Sequence, residues 1–199
     1  MKLLFVFMFL FQVTGYAQLL SKTNANKPTG WFNKKRVDSL NGKPISYYLN
    51  HKGIDSYSKA FYKGKFPIFD DLISNGIMDS VLTNNNSTRP FYLYNFNRML
   101  ELVDAAAAEE AGLRALEYFQ KYPCEFVRSL KDKKYNADIE KWSSLIGYEL
   151  GLSDETPSFN KHINAIEKKL KTNCNDCLNK DWHTFKRLLK QDYELVQEN

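Results

Sequence analysis

The sequence predicts a mainly α-helical protein, and three observations carry that expectation. Apolar residues recur every three or four positions through about seven successive stretches, the spacing that builds one buried stripe on a helix. Short breaks rich in Asn, Pro or Gly separate those stretches, as helix ends require. Strand-like character is confined to one short segment near residues 37–49. About seven helices in antiparallel pairs fit either a compact bundle or a short α-solenoid-like array. No fixed-period repeat accompanies them.

In chain order, residues 1–17 read as a cleavable signal peptide. Lys2 supplies the positive end, Leu3 to Phe11 is unbroken apolar sequence, and Gly15 and Ala17 place small residues at −3 and −1 of a cut after Ala17. The apolar run falls well short of the roughly 20 residues that span a bilayer, so no membrane anchor is expected after cleavage. A buried N-terminal helix or strand is the competing reading, but that element would carry a polar face. Residues 18–30 are polar without apolar period and read as a flexible lead-in. Residues 31–199 then form a single, mainly helical domain, long enough for a real core.

Between Val37 and Leu49 an Asn41-Gly42 pair separates short apolar runs, the form of a tight hairpin. Pro44 removes a ladder donor, so a short helix and turn is the alternative. Phe69, Leu72, Ile73, Ile77 and Val81 predict a helix over 66–82, ended by Asn84-Asn85-Asn86-Ser87. Thr88 is placed to cap the next helix, with Pro90 in its first turn and Tyr92, Phe96, Met99 and Val103 along one face. Asp104 is placed to cap a helix from Ala105 to Tyr122, where Gly112 and a run of alanines predict close approach of a neighbour. Pro123 opens a further helix carrying Phe126, Val127 and Leu130. Asp138 opens another with Ile139, Trp142, Ile146 and Leu150, stopped at Gly151. After the Thr156-Pro157 cap, Phe159, Ile163, Ile166 and Leu170 make the cleanest stripe in the chain. The last helix, from Asp181 to Val196, carries Trp182, Phe185 and Leu189.

The formal net charge of +5 is spread along the chain, which describes a solvated surface rather than a nucleic-acid footprint. Three cysteines, Cys124, Cys174 and Cys177, would meet an oxidising compartment, where thiols pair. One bridge is expected, either within the Cys174-Asn-Asp-Cys177 turn or from Cys124 to one of that pair. The long-range option, closing a loop of about 50 residues, is favoured because it constrains the unfolded chain more.

His162, Cys174, Cys177 and His183 are four potential zinc ligands. Their irregular spacing and helical setting argue for a disulfide instead, and no metal or cofactor is expected. A redox role for Cys174-x-x-Cys177 is disfavoured, because Cys174 follows a helix C-terminus whose dipole opposes a thiolate. Neighbouring carboxylates at Asp70-Asp71 and Glu109-Glu110 diverge by about 100° on a helix and do not face each other. Phosphate loops, nucleophile elbows and zinc-protease motifs do not occur. The stretches Thr88-Arg-Pro-Phe-Tyr92 and Tyr122-Pro-Cys124 look like parts of a motif without indicating a chemistry.

These readings predict a secreted or periplasmic, non-enzymatic helical protein that binds another macromolecule, with a protein partner and an immunity or inhibitor role as the specific form. Aromatic residues outside the helical stripes, Tyr47, Tyr48, Tyr57, Phe61 and Tyr62, are the candidate contacts, since Tyr, Trp and Arg dominate binding hot spots. The alternative is a cell-envelope carbohydrate-binding module or a hydrolase using a carboxylate such as Glu109 or Glu110 in a cleft.

Overall fold

The computed structural model describes residues 36–65, 71–102, 105–152 and 159–198. The expected signal peptide at 1–17, the expected lead-in at 18–30 and the expected caps at Asp104 and Thr156-Pro157 lie outside the described residues. The described chain is mainly helical, with a small two-stranded antiparallel sheet at its N-terminal side.

That sheet is the Asn41-Gly42 hairpin. Strand β1 (Ser39–Leu40) pairs with β2 (Lys43–Pro44), Ser39 opposite Pro44 and Leu40 opposite Lys43. Asn41 and Gly42 take φ of 46° and 73°, the two left-handed residues that a twisted two-residue turn needs. Pro44 ends the strand and, at φ −63°, stands at the N-cap of the next helix, so its missing N–H interrupts no ladder.

Nine α-helices follow among the described residues. Helices α1 (Ile45–Asn50) and α2 (Ser56–Tyr62) are short, too brief for a periodic signal. Asp55 caps α2 by accepting a 2.7 Å hydrogen bond from the Ser58 N–H. Helix α3 (Asp71–Asp79) tightens into a 3-10 turn at Ser80–Leu82. Helix α4 (Arg89–Leu100) is buried along its whole length. Helices α5 (Ala105–Lys121), α6 (Pro123–Lys131), α7 (Ile139–Leu152), α8 (Phe159–Asn173) and α9 (Lys180–Gln197) complete the described fold.

Two expectations about helix ends need correction. Thr88 occupies the N-cap of α4 without capping it. Its hydroxyl donates back to the Asn85 carbonyl at 3.2 Å, and Asn85 Oδ1 accepts from Ser87, so the Asn85 turn organises the entry. Gly151 does not stop α7, which runs on to Leu152. A Cβ at Gly151 would lie 2.6 Å from Val196 Cβ, and one at Gly147 would lie 2.6 Å from Asp192 Cβ. Both glycines are there because α9 comes too close for a side chain.

Gly112 lets α5 approach α7 in the same way, with Glu149 across from it and Ala111 and Ala115 buried beside it. Helix α7 thus lies between α5 and α9. The pairs Gly112 with Glu149 and Tyr118 with Trp142 make α5 and α7 antiparallel. Ser143 with Asp192 and Gly151 with Val196 show that α7 and α9 run parallel. Antiparallel α8, whose Phe159 meets Tyr193 and whose Glu167 meets Trp182, returns the chain between those two.

The α8 stripe of Phe159, Ile163, Ile166 and Leu170 is buried as its spacing required, as are Trp182, Phe185 and Leu189 of α9. Phe126 joins the two sides, with its ring 4.9 Å from that of Trp142 and 4.8 Å from that of Phe185.

Candidate functional site

Tyr47 and Tyr48 are adjacent on α1, and neighbours on a helix point about 100° apart. Tyr48 therefore turns inward, donating its hydroxyl to the Leu40 carbonyl at 3.0 Å and stacking on Phe91. Burial and the adjacent Tyr47 push its pKa up to about 12. Phe61 and Tyr62 are buried on α2. Tyr62 donates to the Val37 carbonyl at 2.6 Å and packs against Phe91 and Tyr94 of α4.

Tyr48, Phe61 and Tyr62 are thus core residues tying the hairpin and α2 to α4, a correction to their place among the candidate contacts. Tyr57 is 51 % exposed and Tyr47 half-buried. Only these two of the five aromatic candidates present a ring to solvent.

Tyr47 lines a surface recess of about 370 Å³ together with Pro44, Ser46, Asn50 and His51. The Lys43 ammonium lies 4.6 Å from the Tyr47 ring centre, and the His51 ring meets the Tyr47 ring edge-on at 5.7 Å. Lys43 on β2, Tyr47 on α1 and His51 just past the end of α1 thus bring together a cation, an aromatic ring and an imidazole. The sequence could not show this grouping, because Lys43 and His51 flank α1 and the hairpin before it sets how they meet Tyr47.

A second recess, of about 450 Å³, is lined by Leu130, Asp132, Lys133, Asn136, Ala137 and Asp138. Its carboxylates are engaged in capping. Asp132 accepts from the Lys134 N–H, and Asp138 accepts from the Glu140 and Lys141 N–H groups. The Tyr47 recess is therefore the better candidate for an external ligand.

Beside it, Ser87 Oγ lies 3.5 Å from His51 Nε2, which superficially resembles a nucleophile and its base. The hydrogen bonding opposes that chemistry. His51 Nδ1 accepts from the Gly53 N–H at 3.0 Å, so a neutral ring carries its proton on Nε2, facing Ser87. The Ser87 hydroxyl donates instead to Asn85 Oδ1 at 2.7 Å. The pair holds the loop against α1.

The two motif-like stretches meet in space. Arg89 forms a two-point pair with Glu125 at 2.7 and 2.5 Å, donates to the Thr83 carbonyl at 2.8 Å and to Asn86 Oδ1 at 2.6 Å, and lies 3.8 Å from the Tyr122 ring centre. Burial works against the Arg89 charge, but hydrogen bonding and attraction to Glu125 outweigh it and raise its pKa. The Tyr122 hydroxyl reaches the Leu82 and Thr83 carbonyls. Arg89 thus fastens the loop behind the recess to α6, and its polar capacity is used within the protein.

The other chemical candidates separate. Cys174 and Cys177 form a disulfide with a Cα–Cα distance of 5.5 Å, while Cys124 is a free thiol. The local bridge therefore replaces the favoured long-range one, because the turn after α8 already holds its two cysteines at bonding separation. Cys174, Asp176 and Cys177 bring their ligand atoms within 4.8 Å of one another, but both sulfurs are spent on the disulfide.

His162 packs against Phe119, and burial, helped by Lys169, lowers its pKa. Glu110 pairs with Arg114 at 2.7 Å and Arg114 also pairs with Asp79. Neither Glu109 nor Glu110 lines either recess. Glu149 has its pKa raised by burial and by the charges of Glu109 and Glu110. No helix among the described residues is long and apolar enough to cross a membrane. No family model, curated protein or solved structure matches this chain.

Proposed function

We propose that the chain is a non-catalytic binding protein that takes a protein partner at the face formed by Lys43, Tyr47, Asn50 and His51. The Tyr47 recess carries this reading. A half-buried ring held by a cation on one side and an imidazole on another is a low-entropy anchor for a partner's side chain. The Ser87–His51 arrangement supports binding over catalysis, since its imidazole presents a proton where a base would need a lone pair. Action outside the cytoplasm and inhibition of the partner are the specific form of the proposal, resting on the leader-like N-terminus and the disulfide.

The test is a pull-down from envelope and secreted extracts with the wild type and with Tyr47→Ala. One stoichiometric partner retained by the wild type and lost by at least roughly ten-fold with Tyr47→Ala, at unchanged helicity, is the expected outcome. The open side of a half-buried ring can also stack on a sugar, so glycan binding is the second reading. It is favoured if Tyr47→Ala abolishes retention on polysaccharide resin and no protein is captured.

A further inference from the structure

The Cys174–Cys177 bridge packs against the backbone of the third cysteine, Cys124, which lies far from it in sequence. Cys174 and Cys177 close the turn between α8 and α9, and Cys124 stands in the first turn of α6, which begins at Pro123. Cys177 Sγ lies 3.8 Å from the Cys124 carbonyl oxygen. A disulfide sulfur has no proton to donate, so this is a packing contact that sets the Cys124 backbone directly against the bridge. Access is graded across the cluster. Cys174 and Cys177 are 3 % and 1 % exposed, whereas Cys124 is half-buried. Solvent therefore reaches the free thiol more readily than the bridge.

We propose that these residues form one thiol–disulfide exchange site, in which Cys124 replaces Cys174 as the partner of Cys177. The Cys124 thiol, whose pKa burial pushes up, gives its proton to solvent, more readily at alkaline pH, and the thiolate attacks Cys177 Sγ. The Cys124–Cys177 bond forms as the Cys174–Cys177 bond breaks. Cys174 leaves as the thiol, taking a proton from solvent as the bond breaks, because the C-terminal end of α8 just before it opposes a thiolate. One disulfide and one thiol are present before and after, so no oxidant or reductant is consumed. The exchange converts a local staple in the α8–α9 turn into a covalent tie between that turn and α6. Cys177 is the shared partner because its sulfur is the one that lies against the Cys124 backbone.

Three variants that each replace one cysteine, Cys174→Ser, Cys177→Ser and Cys124→Ser, test the assignment by acid quenching, alkylation and non-reducing peptide mass mapping. Cys174→Ser is expected to carry a Cys124–Cys177 bridge at a yield roughly ten-fold above the Cys124–Cys174 bridge in Cys177→Ser. Wild type equilibrated in mixed reduced and oxidised glutathione is expected to give both the Cys174–Cys177 and the Cys124–Cys177 peptides, and Cys124→Ser only the former. Separately alkylated Cys124 and Cys177 in a Cys174→Ser protein that keeps its helicity would overturn the proposal. If that variant does not fold, the wild-type arm decides. Absence of a Cys124–Cys177 peptide after overnight equilibration overturns it as well.

Discussion

Around α4 the core is held by polar groups, while the closest approach of α7 and α9, beyond the Ser143–Asp192 hydrogen bond, is set by glycines. Asn95 donates to the Ser58 carbonyl at 3.0 Å, Asn97 accepts from the Trp142 indole N–H at 2.7 Å, and Arg89 is wrapped by Glu125, Thr83, Asn86 and Tyr122. Gly147 and Gly151 contribute little more than backbone, and α9 closes onto them. A buried polar contact specifies one geometry and is costly when half of it is removed. A glycine contact tolerates no added atom but leaves nothing unpaired. The two regions should therefore fail in different ways, by deletion in one and by addition in the other.

The largest effect is expected from Arg89→Ala. The Arg89 side chain is 3 % exposed and its Glu125 partner 38 %, so Glu125 regains part of its solvation. The expected loss is about 3 kcal/mol, the lower end for breaking a buried pair, read by urea unfolding. Asn97→Ala comes next, leaving the Trp142 indole N–H buried without its acceptor. A loss of about 2 kcal/mol is expected, with a shifted Trp fluorescence maximum as the local readout. No measurable change in either variant would remove the polar half of the comparison.

Glycine substitutions sharpen the other half because two similar changes should differ in sign. Gly147→Ala directs a methyl at Asp192 Cβ and the Tyr193 backbone nitrogen, which cannot swing away, whereas Gly112→Ala meets the movable end of Glu149. Replacing helical Gly by Ala gains about 1 kcal/mol in propensity. Gly112→Ala should keep most of that gain, and Gly147→Ala should lose it to overpacking and finish about 1 kcal/mol below wild type. Thermal unfolding of the pair decides the point.

The smallest effect concerns pH. His162 has its pKa lowered from 6.5 by burial and then by Lys169, so below that value the unfolded chain binds a proton that the folded one resists. Stability is complete above pH 6.5 and falls as pH drops toward the folded value. His162→Gln should flatten this part of the pH–stability curve.

Residues buried on one side were the legible ones. Phe159, Ile163, Ile166 and Leu170 announce α8 because its other face is polar, and Asn41-Gly42 announces a turn because its two left-handed residues are unusual. Helix α4 was legible as a helix but not as the central one. Tyr92, Phe96 and Met99 mark a face, yet Asn95, Asn97 and Arg98 are also buried, and polar side chains give no local sign of that. Their acceptors and donors come from Ser58, Trp142 and Glu101, including contacts too distant for any local pattern to reveal. Gly151 was misread for a related reason, since a helix end and a helix contact both favour glycine. At the candidate site the aromatic surplus pointed to the segment that carries the Tyr47 recess. Which of Tyr47 and Tyr48 faces out depended on where α1 begins, and that is set by the hairpin before it.

The burial of α4 also bears on the order in which the structure comes apart. Its amide hydrogens are covered by elements on both sides of it in the sequence, including α2 and α3 before it and the segment around Tyr135 after it, so fraying of any one neighbour still leaves the others in place. Exchange with heavy water at these amides should consequently require opening of the whole domain, and α4 should report global stability. The exposed Lys43–Tyr47–His51 face exchanges by local opening instead, so a partner docking there would slow amides in α1 while leaving those of α4 at the ceiling set by complete unfolding.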